Sequence, residues 1–425
     1  VIQVVKQIIV ENQELELPEM KPRIVDIPDS NGLVITLIGT RRSGKTFLLY
    51  QKMQELKKRG VSSKQIVFVN FEDERIPFAA ENLDLILQAY RELFINSNLK
   101  DVHFFFDEIQ NVRGWEKFVR RVFDTISKNI YITGSNAKLL STEIATELRG
   151  RTITIPVYPL SLKEYLAFNN IEAVFATSKQ KANVVYYNEK FLFNGGFPEL
   201  INLDDRLRVQ VLQNYLNVMI FRDIVERYEI KNIDVLKYFI KKIFASVSKP
   251  FSVNKTYNDL RSQGYKISNN YLYDFFVYCD AIFLTQSIKR FDYSEIKQAK
   301  SESKAYVIDT GLLSAVEFSV SQNKGKLLEN LVFLELLKQG KEIFYYKNKY
   351  ECDFVVRDNN NLVPIQVSYS IQDDDTRKRE ISGLLEAAKY LNVNQGIILT
   401  FDEENHIEAN GCTIKVMPVY KYFLA

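Results

Sequence analysis

Residues 33 to 49, LVITLIGTRRSGKTFLL, constrain this chain more than any other stretch. The apolar, β-branched run from Leu33 to Ile38 reads as a buried strand, and Leu48 and Leu49 open an amphipathic helix. The loop between them must turn a strand into a helix while carrying glycine at 39 and 44 and Lys-Thr at 45 and 46, the spacing GxxxxGK[ST]. Glycine allows backbone angles that a Cβ would forbid, so successive N–H groups can turn inward around phosphate oxygens at a helix N-terminus. The expected binding set is Gly39, Thr40, Arg41, Arg42, Ser43, Gly44, Lys45, Thr46 and Phe47. Lys45 would reach the β and γ phosphates as a point charge, and the Thr46 hydroxyl would bind Mg2+.

A second stretch supplies the partner chemistry. VHFFFDEIQ, residues 102 to 110, has the continuous apolar character of a strand buried on both faces of a parallel sheet, and Asp107 and Glu108 fall at its C-terminal end. Ligands bind at that edge in open α/β sheets. Downstream of a phosphate loop, Asp107 would hold Mg2+ and Glu108 would orient and deprotonate the attacking water. His103 is expected to face its strand neighbours. A further strand, Asn129 to Thr133, closes on Gly134, Ser135 and Asn136. Asn136 could hydrogen-bond the γ phosphate or the lytic water, or simply belong to a polar turn. Arg149 and Arg151 flank Gly150; they could stabilise transition-state charge in cis or across a subunit interface, or make surface ion pairs. The acidic cluster Glu72, Asp73, Glu74 beyond the strand Gln65 to Asn70 is expected to lie in water.

Composition narrows the class of protein. A chain of 425 residues that is 46% hydrophobic and 26% charged can bury a large core in several domains. The net charge of +3 places any basic surface locally. Cys279, Cys352 and Cys412 lie far apart, and the only histidines are His103 and His406, so disulfide frameworks, zinc sites and histidine triads are not expected. No apolar run approaches the roughly 18 to 20 residues that span a bilayer. The N-terminal VIQVVKQIIVENQELELP reads as a short helix leading into Pro18 and does not resemble a signal peptide, which fits a cytoplasmic setting.

GTRRSGKT, FEDER (71 to 75), FFFDEIQ, ITGSN (132 to 136), LRGR (148 to 151), PLSLKEYL (159 to 166) and GGFPEL (195 to 200) follow one another in this order. The series closely resembles the bacterial and archaeal AAA-type ATPases that carry a C-terminal restriction-nuclease-like domain, over nearly the whole chain. The resemblance implies an α/β architecture: a RecA-like P-loop core with a parallel sheet over 1–155, a helical lid over 156–228, a winged-helix region over 229–310 and a nuclease-like α/β domain over 311–425. ATP rather than GTP is an inference from the family, since no guanine-reading NKxD motif follows the acidic strand. In the lid, a long helical pattern runs from Arg206 to Tyr228, with Arg222 either facing nucleotide or exposed.

For the winged helix, a recognition helix over 267 to 276 would offer Ser268, Asn269 and Asn270 to DNA, with Lys266 before it and Lys289 and Arg290 in wing strands over 282 to 291. Winged helices also pack protein against protein. In the last domain, Glu329 on a helix, Glu351 and Asp353 on a strand, and Gln366 and Ser368 in PIQVS stand where restriction-like nucleases place carboxylates and the Glu and Lys of ExK around Mg2+. Glutamine is a poorer metal ligand and serine carries no positive charge, and no sequence signal identifies a substitute lysine. A fold kept for binding or assembly is therefore expected. The leading expectation is a Mg2+-dependent ATPase coupled to a module that binds DNA or protein, with a second subunit able to supply an arginine. The alternatives are a nucleotide-gated DNA-binding switch with little turnover and an ATP-regulated nuclease.

Overall fold

The run Val34–Ile38 forms a fully buried strand, β1, at whose C-terminal end the loop of residues 39–44 leads into the helix Lys45–Lys58. Around it stand β2 (Ile66–Asn70), β3 (His103–Asp107), β4 (Ile130–Gly134) and β5 (Thr152–Pro156) in the order β2-β3-β4-β1-β5, with every neighbouring pair parallel. Parallel pairing needs crossovers, and the helices Lys45–Lys58, Asp84–Leu93 and Trp115–Thr125 lie in them. Register fixes the working edge: Ile38 stands beside Gly134, and Asn70 beside Asp107, so the loops after β1, β3 and β4 emerge together. Beneath that edge Ile35, Leu37, Leu48, Leu49, Phe68, Phe105 and Tyr131 form one apolar cluster. The N-terminal helix Ile2–Glu14 covers the edge strand, where Asn12 and Gln13 donate to the carbonyls of Phe68 and Ile66 at 3.2 and 3.1 Å.

In this computed structural model the chain divides into two units, Val1–Tyr158 with Ala281–Phe283, and Pro159–Asp280 with Leu284–Ala425. The structure describes residues 1–75, 79–135, 146, 148, 150–316, 324–359 and 361–424. Asn136 and Arg149 lie outside them. Among the described residues, no helix is long and apolar enough to cross a membrane, and the three cysteines are free and buried.

The second unit shows what two of the sequence motifs do. PLSLKEYL starts the helix Leu162–Phe168 with a capping box: the Ser161 N–H donates to Glu164 at 2.9 Å, and the Glu164 N–H donates to the Ser161 hydroxyl at 3.2 Å. In GGFPEL, Gly195 has a φ of +76° and stops the helix Ser178–Asn194, and the Gly196 N–H donates to buried Asp309 at 2.6 Å. A Cβ on Gly195 would come within 2.1 Å of the Asp309 carboxylate. The helical pattern over 206 to 228 divides into an α-helix, Asp205–Val218, and a π-helical segment, Met219–Glu226, which contains Arg222.

Helices Ile233–Ala245, Val253–Ser262 and Asn269–Ala281 follow, with a small antiparallel sheet of β6 (Pro250–Phe251), β7 (Thr285–Lys289) and β8 (Ser303–Val307) in the order β6-β8-β7. Only one of these strands lies within the expected wing, residues 282 to 291. At the start of the expected recognition helix, the Ser268 hydroxyl accepts from the Tyr271 N–H at 3.2 Å, and the Asn269 amide donates to Asn254 at 2.6 Å. Two of the three polar groups reserved for DNA thus serve the fold, and the helix exposes Tyr273 and Val277.

The chain ends in a six-stranded mixed sheet, formed by β9 (Glu342–Lys347), β10 (Glu351–Asp358), β11 (Asn361–Val367), β12 (Gln395–Thr400), β13 (Asn405–Ala409) and β14 (Cys412–Pro418) in the order β13-β14-β12-β11-β10-β9. The helices Lys324–Lys338 and Asp374–Leu391 pack on it. Backbone joins the two sheets of this unit, because the Phe291 N–H donates to the Tyr345 carbonyl at 2.7 Å.

Candidate functional site

The loop after β1 has the backbone that phosphate binding requires. Arg42 and Gly44 are left-handed, with φ of +63° and +95°, and alternating hand turns consecutive amides to one side. Gly39 serves close approach instead, since a Cβ there would lie 2.0 Å from the Val157 carbonyl oxygen. Arg23 ties the loop to its surroundings: its guanidinium donates to the Ser43 carbonyl at 2.7 Å and to the Tyr158 carbonyl at 3.0 Å. Arg41 is ion-paired to Glu72 at 3.1 Å. The acidic cluster expected in water is therefore partly a clamp, with Asp73 paired to Arg75 at 2.7 Å and Arg75 to Glu11 at 2.7 Å. Phe47 is 47% exposed, its ring edge-on to Tyr50 at 5.9 Å.

Opposite the loop, the carboxyls after β3 are held by β4 and by the loop itself. Asp107 accepts from the Thr46 hydroxyl at 2.9 Å and from the Thr133 hydroxyl at 2.6 Å. The same Thr133 oxygen accepts the Glu108 N–H at 2.9 Å. Glu108 adopts a left-handed φ of +52°, costly for a residue with a Cβ and of the kind that collects at working sites. Its carboxylate accepts from Gln110 at 2.5 Å and lies 3.4 Å from the Lys45 ammonium, which also donates to the Gly39 and Thr40 carbonyls at 3.2 and 3.1 Å.

Two adjacent carboxyls consequently differ in character. Burial, with the neighbouring Glu108 charge, pushes Asp107 up to about 6, while Thr133, Thr46 and Lys45 pull the other way. Burial works on Glu108 too, but Lys45, Gln110 and Arg41 outweigh it and hold this carboxyl below its ordinary value. Glu108 is thus the more readily ionised of the two and stands where it could take a proton, and the hard oxygens of Thr46 and Asp107 suit Mg2+. Two buried oxygens here, Ser43 Oγ and Gln110 Oε1, have no hydrogen-bond partner among the described residues, which fits a site shaped for a polar ligand.

Arg151 makes a surface ion pair with Asp124 at 2.5 Å. Sequence reasoning missed Arg23, Thr133 and Gln110. Thr133 alone had a signal, a polar residue at the tip of the strand next to the acidic one.

A second cluster lies in the C-terminal sheet. Lys304, on β8 and 0% exposed, places its ammonium 2.8 Å from Glu351, 3.2 Å from Glu329 and 3.4 Å from Asp353. Tyr306 donates to Glu329 at 2.7 Å. The other Asp353 oxygen accepts the Val367 N–H at 3.0 Å. Gln366 accepts the Asp353 N–H at 3.1 Å and donates to Glu380, which Arg379 also holds at 2.6 Å. Ser368 turns away, donating to the Ser370 carbonyl at 2.8 Å. Burial disfavours the Lys304 charge, but Glu329, Tyr306, Asp353 and Glu351 outweigh it and keep the ammonium well above its ordinary value. The carboxylates are engaged by the shared Lys304 ammonium, and among the described residues no group of three or more acidic, histidine or cysteine side chains is placed to hold a metal ion, so these residues do not fit the Mg2+ site of a restriction-like nuclease. Lys304 reaches this cluster from a strand outside PIQVS.

Comparison with known proteins follows this division of the chain. Residues 31–166 match the model of an AAA domain, and residues 187–324 and 324–422 match two domains of unknown function. An uncharacterized protein of Haemophilus influenzae is 31% identical, over 83% of this chain and 86% of its own length. The Aeropyrum pernix ORC1 protein, solved in complex with DNA, aligns with 74% of this chain and 90% of its own at 11% identity and a TM-score of 0.32. The uncharacterized protein MJ1544 of Methanocaldococcus jannaschii is 35% identical over 99% of this chain and 95% of its own length. Its AAA domain and this near end-to-end identity make the chain a member of the same P-loop family as MJ1544.

Proposed function

We propose that the protein binds ATP with Mg2+ at the loop of residues 39–47 and hydrolyses it, and that nucleotide state is communicated to the second unit, which engages DNA or a protein partner. The observation that carries this reading is the single network Thr46–Asp107–Thr133–Glu108, which brings a hydroxyl and a carboxylate suited to Mg2+ beside a second carboxylate. Lys45 would neutralise phosphate charge, Thr46 and Asp107 would hold Mg2+, and Glu108 would take the proton of the attacking water. The metal would supply charge neutralisation and orientation of the phosphates. Glu108 is engaged by Lys45 and Gln110, which favours slow basal turnover. An arginine from a second copy would add transition-state stabilisation, a role also open to Arg149.

Calorimetry with ATP and Mg2+ and steady-state phosphate release test the reading. Lys45→Ala should abolish binding, and Glu108→Gln should retain binding while losing turnover. Wild-type protein that binds no ATP would overturn the reading, and wild-type protein that binds without turnover, with or without DNA, would remove hydrolysis from it.

A further inference from the structure

A cavity of about 420 Å³ opens in the second unit between the end of β7, the short helix Glu295–Lys300 and β9. Its wall carries Arg290, Lys297, Lys300 and Lys347 against a single carboxylate, Glu302; four cations less one anion leave +3, equal to the formal net charge of the entire chain. Lys347 is paired with Glu351 at 3.0 Å, whereas Arg290, Lys297 and Lys300 have no carboxylate within ion-pair distance among the described residues. Three unneutralised cations around one concavity repel one another and attract an anion.

Hydrogen bonds tie the frame of the cavity together. The Arg290 N–H donates to the Ser301 hydroxyl at 3.1 Å, the Tyr345 hydroxyl donates to the Glu302 carbonyl at 2.8 Å, and Phe291 is bonded through its backbone to Tyr345. Guanidinium and ammonium groups are the side chains that bind phosphate oxygens. Two residues beyond Arg290, Tyr293 is 64% exposed and rests on Tyr390 at 5.5 Å, a face on which a base can stack.

We propose that this cavity is a binding site for the phosphate backbone of a polynucleotide, held there without being cut. The proposal rests on the reading of the second unit as the part that engages a partner, and it names that partner's chemistry and the residues that meet it. It moves nucleic-acid contact from the helix Asn269–Ala281, where Asn269 and the preceding Ser268 serve the fold, to the junction of the two sheets. Absence of cutting rests on the next residues inward: Lys347 meets Glu351, Glu351 meets Lys304 at 2.8 Å, and among the described residues no group of three or more acidic, histidine or cysteine side chains is placed to hold a metal ion.

The test uses the full chain, a fluorescently labelled oligonucleotide in single- and double-stranded form, and anisotropy over a range of salt. Each lost phosphate contact should flatten the dependence of log affinity on log salt by about 0.7 for single strands and about 0.9 for duplex, so Arg290→Ala/Lys297→Ala/Lys300→Ala should flatten it by about 2 to 3. Affinity should fall at least about tenfold, and the oligonucleotide should stay intact in Mg2+. Calorimetric ATP binding on the same samples should not change, so failure of the P-loop reading and failure of this proposal are separable. An unchanged salt slope in the triple variant would overturn the proposal. So would displacement of the oligonucleotide by equimolar inorganic phosphate, which marks a small-anion pocket, or binding of a poly-glutamate peptide as tight as that of the oligonucleotide, which marks an acidic protein partner. Mg2+-dependent cutting that Asp353→Asn abolishes would overturn its non-cutting half.

Discussion

Replacing Lys304 by methionine removes one positive charge and little volume, leaving Glu329, Glu351 and Asp353 facing one another without the ammonium that now lies 2.8 to 3.4 Å from each. The unbranched apolar chain preserves contact with the Tyr345 ring, whose centre is 5.5 Å from Nζ, so the measured loss reports charge rather than a cavity. Breaking a buried ion pair by removing one partner costs about 3 to 5 kcal/mol. Three carboxylates share this partner, and two of them are nearly inaccessible, which places the expected loss in the upper half of that range. Hydrogen–deuterium exchange of peptides from Lys324–Lys338 and Glu351–Asp358 reads it directly, since about 4 to 5 kcal/mol of lost protection is exchange faster by about 800-fold to 5000-fold. The sign of its pH dependence is also fixed. Burial and the Glu329 charge already raise Asp353 well above its ordinary 3.8, and Lys304 opposes them; without Lys304 it rises further. A raised carboxyl contributes stability below its unfolded value and loses it as pH rises through the folded one, so the variant's defect should grow with pH. Exchange within threefold of wild type, or a defect that grows as pH falls, would refute the reasoning.

Two other perturbations probe the remaining buried polar groups. Thr133→Val removes the hydroxyl that joins Asp107 to the Glu108 N–H and leaves that buried amide unpaired, a loss of about 1 to 3 kcal/mol; phosphate release should fall at least about tenfold while calorimetric ATP binding persists. Asp309 is pushed up to about 6 by burial, although the N–H groups of Gly196 and Leu312 donate to it at 2.6 and 3.1 Å. An ionisation moved from 3.8 to about 6 is worth about 3 kcal/mol, present below 3.8 and lost as pH rises through about 6. Hydrogen exchange around Phe197–Leu200 should therefore accelerate between pH 4 and pH 7, after correction for intrinsic rates, and Asp309→Asn should flatten that acceleration.

The first unit was legible because its signals are local. A β-branched run, two glycines six positions from start to Lys45, and an apolar strand ending in Asp-Glu each declare themselves within ten residues, and parallel pairing then carries their ends to one edge. Arg23 gave no such signal: it sits in an irregular proline-flanked stretch, and its partners are carbonyls 20 and 135 positions away. The π-helical segment Met219–Glu226 hid for a different reason, since MIFRDIVE has the apolar spacing of an ordinary helix and the extra residue per turn is decided by packing. PLSLKEYL and GGFPEL stood out as family motifs, yet the first is a helix cap and the second a place where two glycines admit a buried carboxylate. Recurrence marks a constraint without saying whether folding or chemistry imposes it.

Lys304 shows where reading along the chain stops. In SKAYV a lysine inside an apolar strand looks like an outward-facing residue, because alternation is the only local rule available and burial of an isolated ammonium is forbidden by its cost. What makes the burial affordable is not local: Glu329 is 25 positions away on a helix and Asp353 is 49 away on another strand. The same three carboxylates that suggest a metal site in sequence therefore have a different meaning in space, since the ammonium among them supplies the positive charge they need. A metal-binding pattern read from acidic residues alone counts ligands but not the cations folded in among them, and here one side chain from a neighbouring sheet stands within ion-pair distance of all three carboxylates.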